Sequence, residues 1–314
     1  MKIAQINPGC GIPIPPPSWG AIEKIVWEFM VNLKALGHQV DLKWANEIQP
    51  GEYDVVMVHV ANLALQLNDR GIPYIFQHHD HHAFHYGKDS DVYKQNRLAM
   101  ERSVFSLVPA RYLVEYFDLP NVHYFSHGVD NKSFYPNETP PLAHNLLMVA
   151  NNGLGGYGSH DRKGFELGIK TAMSRNLPIT IVGPKNNQNW FDANPWIRGY
   201  PKLSILENPS NDILRQIYTS HTIFLHPSEL EAGHPNLTLL EAAACGLPIV
   251  GWIEEETTFH GLWRAPRDLN EILRGLDTII NEYSDYRQRS LNTAQELSWF
   301  NRSKELINLF NTHA

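Results

Sequence analysis

The chain reads as an α/β protein built from two Rossmann-like α/β/α domains facing across a cleft. Short apolar runs of strand length alternate with amphipathic helical stretches along most of its 314 residues. A polar, proline-bearing stretch, Asn131 to Asn145, interrupts that alternation, and the pattern then restarts. The stretch Ile223 to Gly251 is the fullest single unit: strand, acidic loop, helix, strand. The boundaries this suggests are 1–135 for the first domain and 136–290 for the second. A last helix over 291–314 is expected to pack back on the first domain.

Lys2 to Ile6 reads as the first strand. A loop rich in Gly and Pro follows, closed by Trp19 and Gly20, and a helix runs from Ala21 to Leu36 with apolar spacings of three and four. The loop lacks the GxGxxG spacing, so the dinucleotide fingerprint is absent. Its backbone N–H groups and the helix start favour an anion or a sugar, or the loop merely turns the chain. Further strands are expected at Val40–Leu42, Asp54–His59, Tyr74–Gln77, Ser106–Pro109 and Val122–Phe125, with a long helix from Val92 to Phe105. Directly after the fourth strand comes His78-His79-Asp80-His81-His82. Three readings stay open for it: a catalytic or sugar-binding loop, a metal site, or an ordinary polar loop with stacked rings. The metal reading is weakened because consecutive side chains point different ways and few could share one ion.

The second half restarts with the strand Leu146–Ala150 and a glycine-rich loop, Asn151 to Asp161. Arg162, Lys163 and Gly164 then open a helix from Phe165 to Met173. A guanidinium fork and an ammonium between strand and helix suit a nucleotide diphosphate; a solvated surface cluster is the plainer alternative. Strands follow at Ile179–Gly183 and Leu203–Leu206, and a short helix at Asp212–Tyr218. In the Ile223–Gly251 unit the loop carries Glu229, Glu231, Gly233 and His234. The helix begins at about Asn236, carries Glu241, and stops at Gly246-Leu247-Pro248. Helices over Asp268–Asn281 and Tyr283–Phe310 complete the chain.

Composition narrows the function classes. The net charge is −7, with 26 basic against 33 acidic residues and no dense basic block, which lowers the case for a dedicated nucleic-acid binder. The two cysteines, Cys10 and Cys245, give no disulfide framework and suit a reducing, cytoplasmic setting. The N-terminus enters a strand without a signal peptide's apolar region, and no stretch is apolar enough to span a membrane. The Asp89–Arg102 helix mixes Lys94, Arg97 and Arg102 with Asp89, Asp91 and Glu101, so the signal for peripheral membrane contact is weak.

With these motifs in order, the chain resembles a retaining glycosyltransferase of the GT-B architecture, in the large family 4. The resemblance runs along essentially the whole chain and is strongest from Asp212 to Gly251. There, Ser228, the acidic loop, the helix-borne Glu241 and Ala244-Cys245-Gly246-Leu247-Pro248 resemble the family's donor-binding signature. The early glycine loop, Gly37-His38, the Ser126–Asp130 run and Lys163-Gly164 also fall in family order. The resemblance implies a nucleotide-diphosphate sugar as donor, bound by the second domain, with the acceptor on the first. Glu241 would contact the ribose; Asn236, Leu237 and Thr238 would line the phosphate or sugar subsite. Lys163, with Arg162, would hold the diphosphate, and Gly20 and its loop would approach phosphate and acceptor. His79, then His78, would contact the donor sugar, and Asp80 would orient that histidine or meet the acceptor. No cofactor and no metal are required.

Two departures stand out. The family pairs two glutamates separated by seven residues, but eight positions before Glu241 stands Gly233; Glu231 or Glu229 would have to substitute. The family's basic residue soon after the first strand of this domain is also displaced, to Arg162. The implied activity is transfer of a hexosyl or pentosyl group to an acceptor that the sequence leaves open: glycan, lipid-linked sugar, small molecule or modified nucleic-acid base. The rival readings are a non-catalytic nucleotide-sugar binder and an epimerase or phosphorylase of the same architecture.

Overall fold

A computed structural model of the chain describes residues 1–17, 20–151, 161–254 and 257–313. It divides into two compact units. One comprises Met1–Gly128, Glu231–Pro235 and Leu297–Ala314; the other comprises Val129–Leu230 and Asn236–Glu296.

The first unit contains β1 (Lys2–Ile6), α1 (Ala21–Ala35), β2 (Gln39–Lys43), β3 (Val55–Val58), α2 (Ala61–Asp69), β4 (Ile75–Gln77), α3 (His82–Tyr86), α4 (Asp91–Glu101), β5 (Ser106–Val108), α5 (Arg111–Phe117) and β6 (Val122–Tyr124). The strands form one parallel sheet in the order β2-β1-β3-β4-β5-β6. A parallel sheet covered on both faces needs strands that are apolar throughout, and β3 is buried at all four positions. Strand order reverses beside β1: β2 lies to one side, β3 to β6 to the other. The connections leaving β1 and β3 therefore diverge and open a crevice past the strands' carboxyl ends, where such sheets bind ligands.

The second unit contains β7 (Leu146–Val149), α6 (Phe165–Arg175), β8 (Ile179–Gly183), α7 (Gln188–Ala193), β9 (Leu203–Glu207), α8 (Asn211–Thr219), β10 (Ile223–His226), α9 (Leu237–Ala244), β11 (Ile249–Gly251), β12 (Leu262–Arg264), α10 (Leu269–Asn281) and α11 (Tyr283–Glu296). Its sheet is also parallel, in the order β12-β11-β10-β7-β8-β9, and its reversal lies between β7 and β10. Leu146, Met148, Ile223, Leu225 and Val250 of the sheet pack with Phe165, Ile169, Leu276 and Ile279 of the helices.

The last helix, α12 (Trp299–His313), belongs to the first unit. Trp299 meets Phe29 of α1 edge to face with ring centroids 5.1 Å apart. The Arg302 guanidinium lies 4.1 Å from the Phe125 ring centre and donates to the Ser126 carbonyl at 3.2 Å. Burial holds the Arg302 pKa below its ordinary value, against the opposing pull of Glu305.

Several elements differ from the sequence expectation. The helix expected to reach Phe105 ends at Glu101, because Ser103 Oγ bonds back to the Met100 carbonyl at 2.7 Å and Val104 N already bonds to Tyr74 O on the sheet. The Tyr283–Phe310 stretch, expected as one or two helices, is two, α11 and α12. The five-residue α3 and the three-residue β12 are too short to show a period.

Candidate active site

In the second unit, β7 and β10 are neighbours, and the segments that follow them are joined by hydrogen bonds. The glycine-rich positions 153, 155, 156 and 158 lie outside the described residues. From Asp161 the chain enters α6: the Asp161 carboxylate accepts from Phe165 N at 2.9 Å and Glu166 N at 2.8 Å, meeting two of the donors a helix start leaves open. Burial pushes the Asp161 carboxyl pKa up, more than those bonds and Arg267 pull it down. Gly164 sits at φ +72°, and a Cβ there would lie 2.4 Å from the Pro227 carbonyl oxygen. Only glycine lets the start of α6 come this close to the end of β10.

Arg162 and Lys163 are both buried. Arg162 Nη1 donates to the Leu230 carbonyl at 2.6 Å, while the Arg162 carbonyl accepts from Glu229 N at 2.9 Å. Arg267 adds bonds to Glu229 Oε2 at 2.9 Å and to the Asp161 carbonyl at 2.8 Å. The guanidinium of Arg162 therefore organises the loop after β10 as well as bringing charge to it.

The same loop leads to α9. Asn236 caps it, its Oδ1 accepting from Leu239 N and from Thr238 Oγ1, each at 3.1 Å; its Nδ2 lies 3.4 Å from His226 Nε2 at the end of β10. The first N–H groups of α9, from Leu237 and Thr238, form the positive end of the helix. Glu241 lies one turn further on, 5% exposed, and accepts a bond from the Tyr218 hydroxyl at 3.1 Å. Burial, then the Glu241 charge, push the Tyr218 phenol well above its ordinary value. This ensemble of a helix N-terminus, two cations and a carboxylate can hold an anion and a hydroxyl-bearing group side by side.

The first unit's crevice has a different lining. Gln5 lies in β1, His59 just past β3, and His79 just past β4. His59 Nε2 is 2.8 Å from Gln5 Oε1, and His59 Nδ1 is 2.9 Å from His79 Nε2. The His79 ring stacks on His59 at 5.1 Å and on His127 at 6.5 Å between centroids. Burial depresses all three imidazoles: His59 to about 3, His127 to about 4 with help from Arg302, and His79 well below the usual 6.5, with His59, His127 and His78 adding to the effect. All three are neutral at pH 7. His79 Nδ1 and both ring nitrogens of His127 are buried without a hydrogen-bond partner. Each such unmet group costs on the order of 1–3 kcal/mol.

His78 points elsewhere. Its Nδ1 is 3.0 Å from Asn96 Oδ1 and its ring packs on Phe117 at 5.4 Å, so it is built into the fold of α4. Asp80 Oδ1 accepts from His82 N at 2.8 Å and lies 3.7 Å from His78 Nε2. Burial raises the Asp80 carboxyl, but His78, His82 and His81 outweigh it and hold it below its ordinary value. Among the described residues, no three His, Cys, Asp or Glu side chains are placed to hold a metal ion.

Glu231 is buried, and its carbonyl accepts from the Tyr112 hydroxyl at 2.9 Å; His234 N donates to the Pro109 carbonyl at 2.9 Å. A Cβ on Gly233 would lie 2.8 Å from His127 Nδ1. The position where the sequence lacks an acid has no room for a side chain. Gly20 caps α1 at φ +136°, where a Cβ would meet Glu23 Oε2 at 2.9 Å and Pro16 Cβ at 3.2 Å.

The expected residues thus fall into two sets: His78, His79, Asp80, Glu231 and Gly20 in the first unit, Arg162, Lys163, Asn236, Leu237, Thr238 and Glu241 in the second. Sequence reasoning missed Gln5, His59 and His127 as members of the first set. The available signal was a polar residue inside or at the end of a strand buried on both faces.

Residues 156–282 match the family described as Glycosyl transferases group 1. A search by sequence finds no match among curated proteins. Several solved structures share the fold. Sucrose-phosphate synthase from Thermosynechococcus elongatus aligns with a TM-score of 0.76 at 14% identity, over 99% of this chain and 98% of that one. HepE from Anabaena, in complex with UDP and glucose, aligns at 0.74 and 12%, over 99% and 100%. An alpha-glucosyltransferase in complex with UDP and a 13-mer DNA containing an HMU base aligns at 0.68 and 13%, over 99% and 100%. The chain has the two-domain GT-B fold, and residues 156–282, which fall mostly in its second unit, match the group 1 glycosyltransferase model.

Proposed function

We propose that this chain is a glycosyltransferase that moves a hexosyl or pentosyl group from a nucleotide-diphosphate sugar to a hydroxyl acceptor, with retention at the anomeric carbon. One observation carries the reading: the group 1 match covers residues 156–282, which contain Arg162, Lys163, the loop after β10 and the whole of α9. As the bond to the sugar breaks, the sugar gains oxocarbenium character and the diphosphate gains negative charge. Lys163, Arg162 and the amides of Leu237 and Thr238 stabilise that charge where it develops. Glu241 accepts from the ribose hydroxyls, with the Tyr218 hydroxyl holding its second oxygen. Asn236 fixes the start of α9.

In the first unit, His79 meets the sugar, Asp80 orients the loop after β4, and Gly20 lets the proline-rich loop close on the start of α1. Glu231 stands in for the family's first glutamate; Gly233 cannot, because His127 fills its space. The chemistry requires neither a carboxylate pair nor a cofactor, since cations and amides neutralise the leaving group. Uridine diphosphate sugars are the first donors to try, because solved relatives of the fold hold UDP. The acceptor classes remain glycan, lipid-linked sugar, small molecule and modified nucleic-acid base, the last supported by the DNA complex. A cytoplasmic location belongs to the same reading.

The test is calorimetric binding and slow hydrolysis with UDP-, GDP- and ADP-sugars. Saturable binding to one of them is expected, weakened by Lys163→Ala and Glu241→Ala. No binding to any would sink the proposal, and unchanged affinity in both variants would remove those two roles.

A further inference from the structure

We propose that Gln5 and His59 are positioning residues that keep the proton of His79 on Nε2, so that His79 offers Nδ1 as a hydrogen-bond acceptor to a sugar hydroxyl. The ligand half of this statement rests on the transferase reading. The proton half rests on the first unit alone.

The argument follows atoms. The Gln5 amide has a donor end and an acceptor end. Its Nε2 lies 3.2 Å from Met57 Sδ, and a thioether sulfur can only accept. The oxygen end therefore faces His59 Nε2, at 2.8 Å. An amide oxygen cannot donate, so His59 carries its proton on Nε2. His59 is neutral, so its Nδ1 is bare. That bare nitrogen lies 2.9 Å from His79 Nε2 and accepts from it, which fixes the His79 proton on Nε2. His79 is neutral too, because burial penalises the charged form of its ring. Nδ1 of His79 is left with a lone pair and no donor. Turning the Gln5 amide over would set its oxygen against the sulfur, two acceptors in contact. It would also reverse every proton in the chain.

The effect is a relay of orientation from the middle of β1 to the loop after β4, with no charge in it. Such outer partners decide which ring nitrogen of a histidine is available. A hydroxyl is the group that fits: it donates to Nδ1, and it can also meet the unpartnered nitrogens of His127.

The test labels the full chain with ¹⁵N at histidine and records two-bond proton–nitrogen correlations without ligand, assigned with His59→Gln and His79→Gln. His59 and His79 are each expected to bear one proton, on Nε2, from about pH 8 to about pH 5. A proton on Nδ1 of His79 overturns the proposal. Gln5→Leu removes the acceptor that starts the chain, and His79 is then expected to populate both tautomers. An unchanged His79 spectrum in folded Gln5→Leu also overturns it, and if that variant does not fold, the wild-type spectrum decides alone. Addition of UDP-glucose is expected to shift His79 Nδ1 in the direction of hydrogen-bond acceptance. Binding without that shift overturns the ligand half. Failure of UDP-, GDP- and ADP-sugars alike to bind is a failure of the transferase reading instead, and leaves the proton placement to the ligand-free spectra.

Discussion

Both sheets reverse strand order beside their first strand, yet one reversal is lined by neutral rings and the other by charges. In the first unit, Gln5, His59 and His127 are buried, as is Nδ1 of His79, and burial keeps each ring to one proton. In the second, Arg162, Lys163 and Glu241 are buried, and a guanidinium cannot shed its proton to escape. It is held instead by carbonyls, as the bond from Arg162 to Leu230 shows. The same topology therefore offers a hydrogen-bonding surface in one unit and an anion-binding surface in the other.

The largest expected effect tests the neutrality of the first unit. His59 and His127 have folded values depressed to about 3 and about 4, from 6.5. A depressed value means the unfolded chain binds more protons. The stability these rings confer is full above pH 6.5 and falls as pH drops toward their folded values. Each should cost about 2 kcal/mol between the unperturbed value and about pH 5. Urea unfolding followed across that range should show it, and His127→Phe should flatten the slope. A flat wild-type profile would mean the rings are charged, and the contrast between units would vanish.

Next in size, Gly164→Ala should destabilise the second unit by about 3 kcal/mol, through positive φ and the clash with Pro227. Nucleotide-sugar binding should fall with it, while the His79 spectrum of the first unit should not move. Gly233→Ala, which drives a methyl toward His127, should cost about 1–2 kcal/mol and shift the His127 resonances first. Smallest, Glu229→Ala removes an ion pair to Arg267 at a position half exposed to solvent. It should cost under about 1 kcal/mol by thermal unfolding.

The sequence made the alternation of strands and helices readable because each element is several residues long and its apolar spacing has a period. It made the helix that carries Glu241 readable, because Leu237 to Pro248 form one continuous run with a clear stop at Gly246-Leu247-Pro248. The neutral relay was hidden for the opposite reason. Gln5 and His59 are 54 positions apart and meet only because β1 and β3 pair in the sheet. Gly233 shows a third case. The sequence registers that an acid is missing, but only packing shows that the ring of His127 occupies its place. Arg162 was legible as a cation beside the strand end and not as the clasp of the loop after β10, since its partner there is a backbone carbonyl that any residue supplies.

The run His78-His79-Asp80-His81-His82 has the composition of an affinity handle, the kind of sequence immobilised nickel captures. Folding takes that property away: His78 and His81 are buried, His78 Nδ1 faces Asn96, and His79 Nε2 faces His59. Retention of the untagged chain on a nickel column should therefore be stronger in urea than in native buffer. The resin would then report unfolding, and a misfolded fraction would separate itself from the native protein in a single elution.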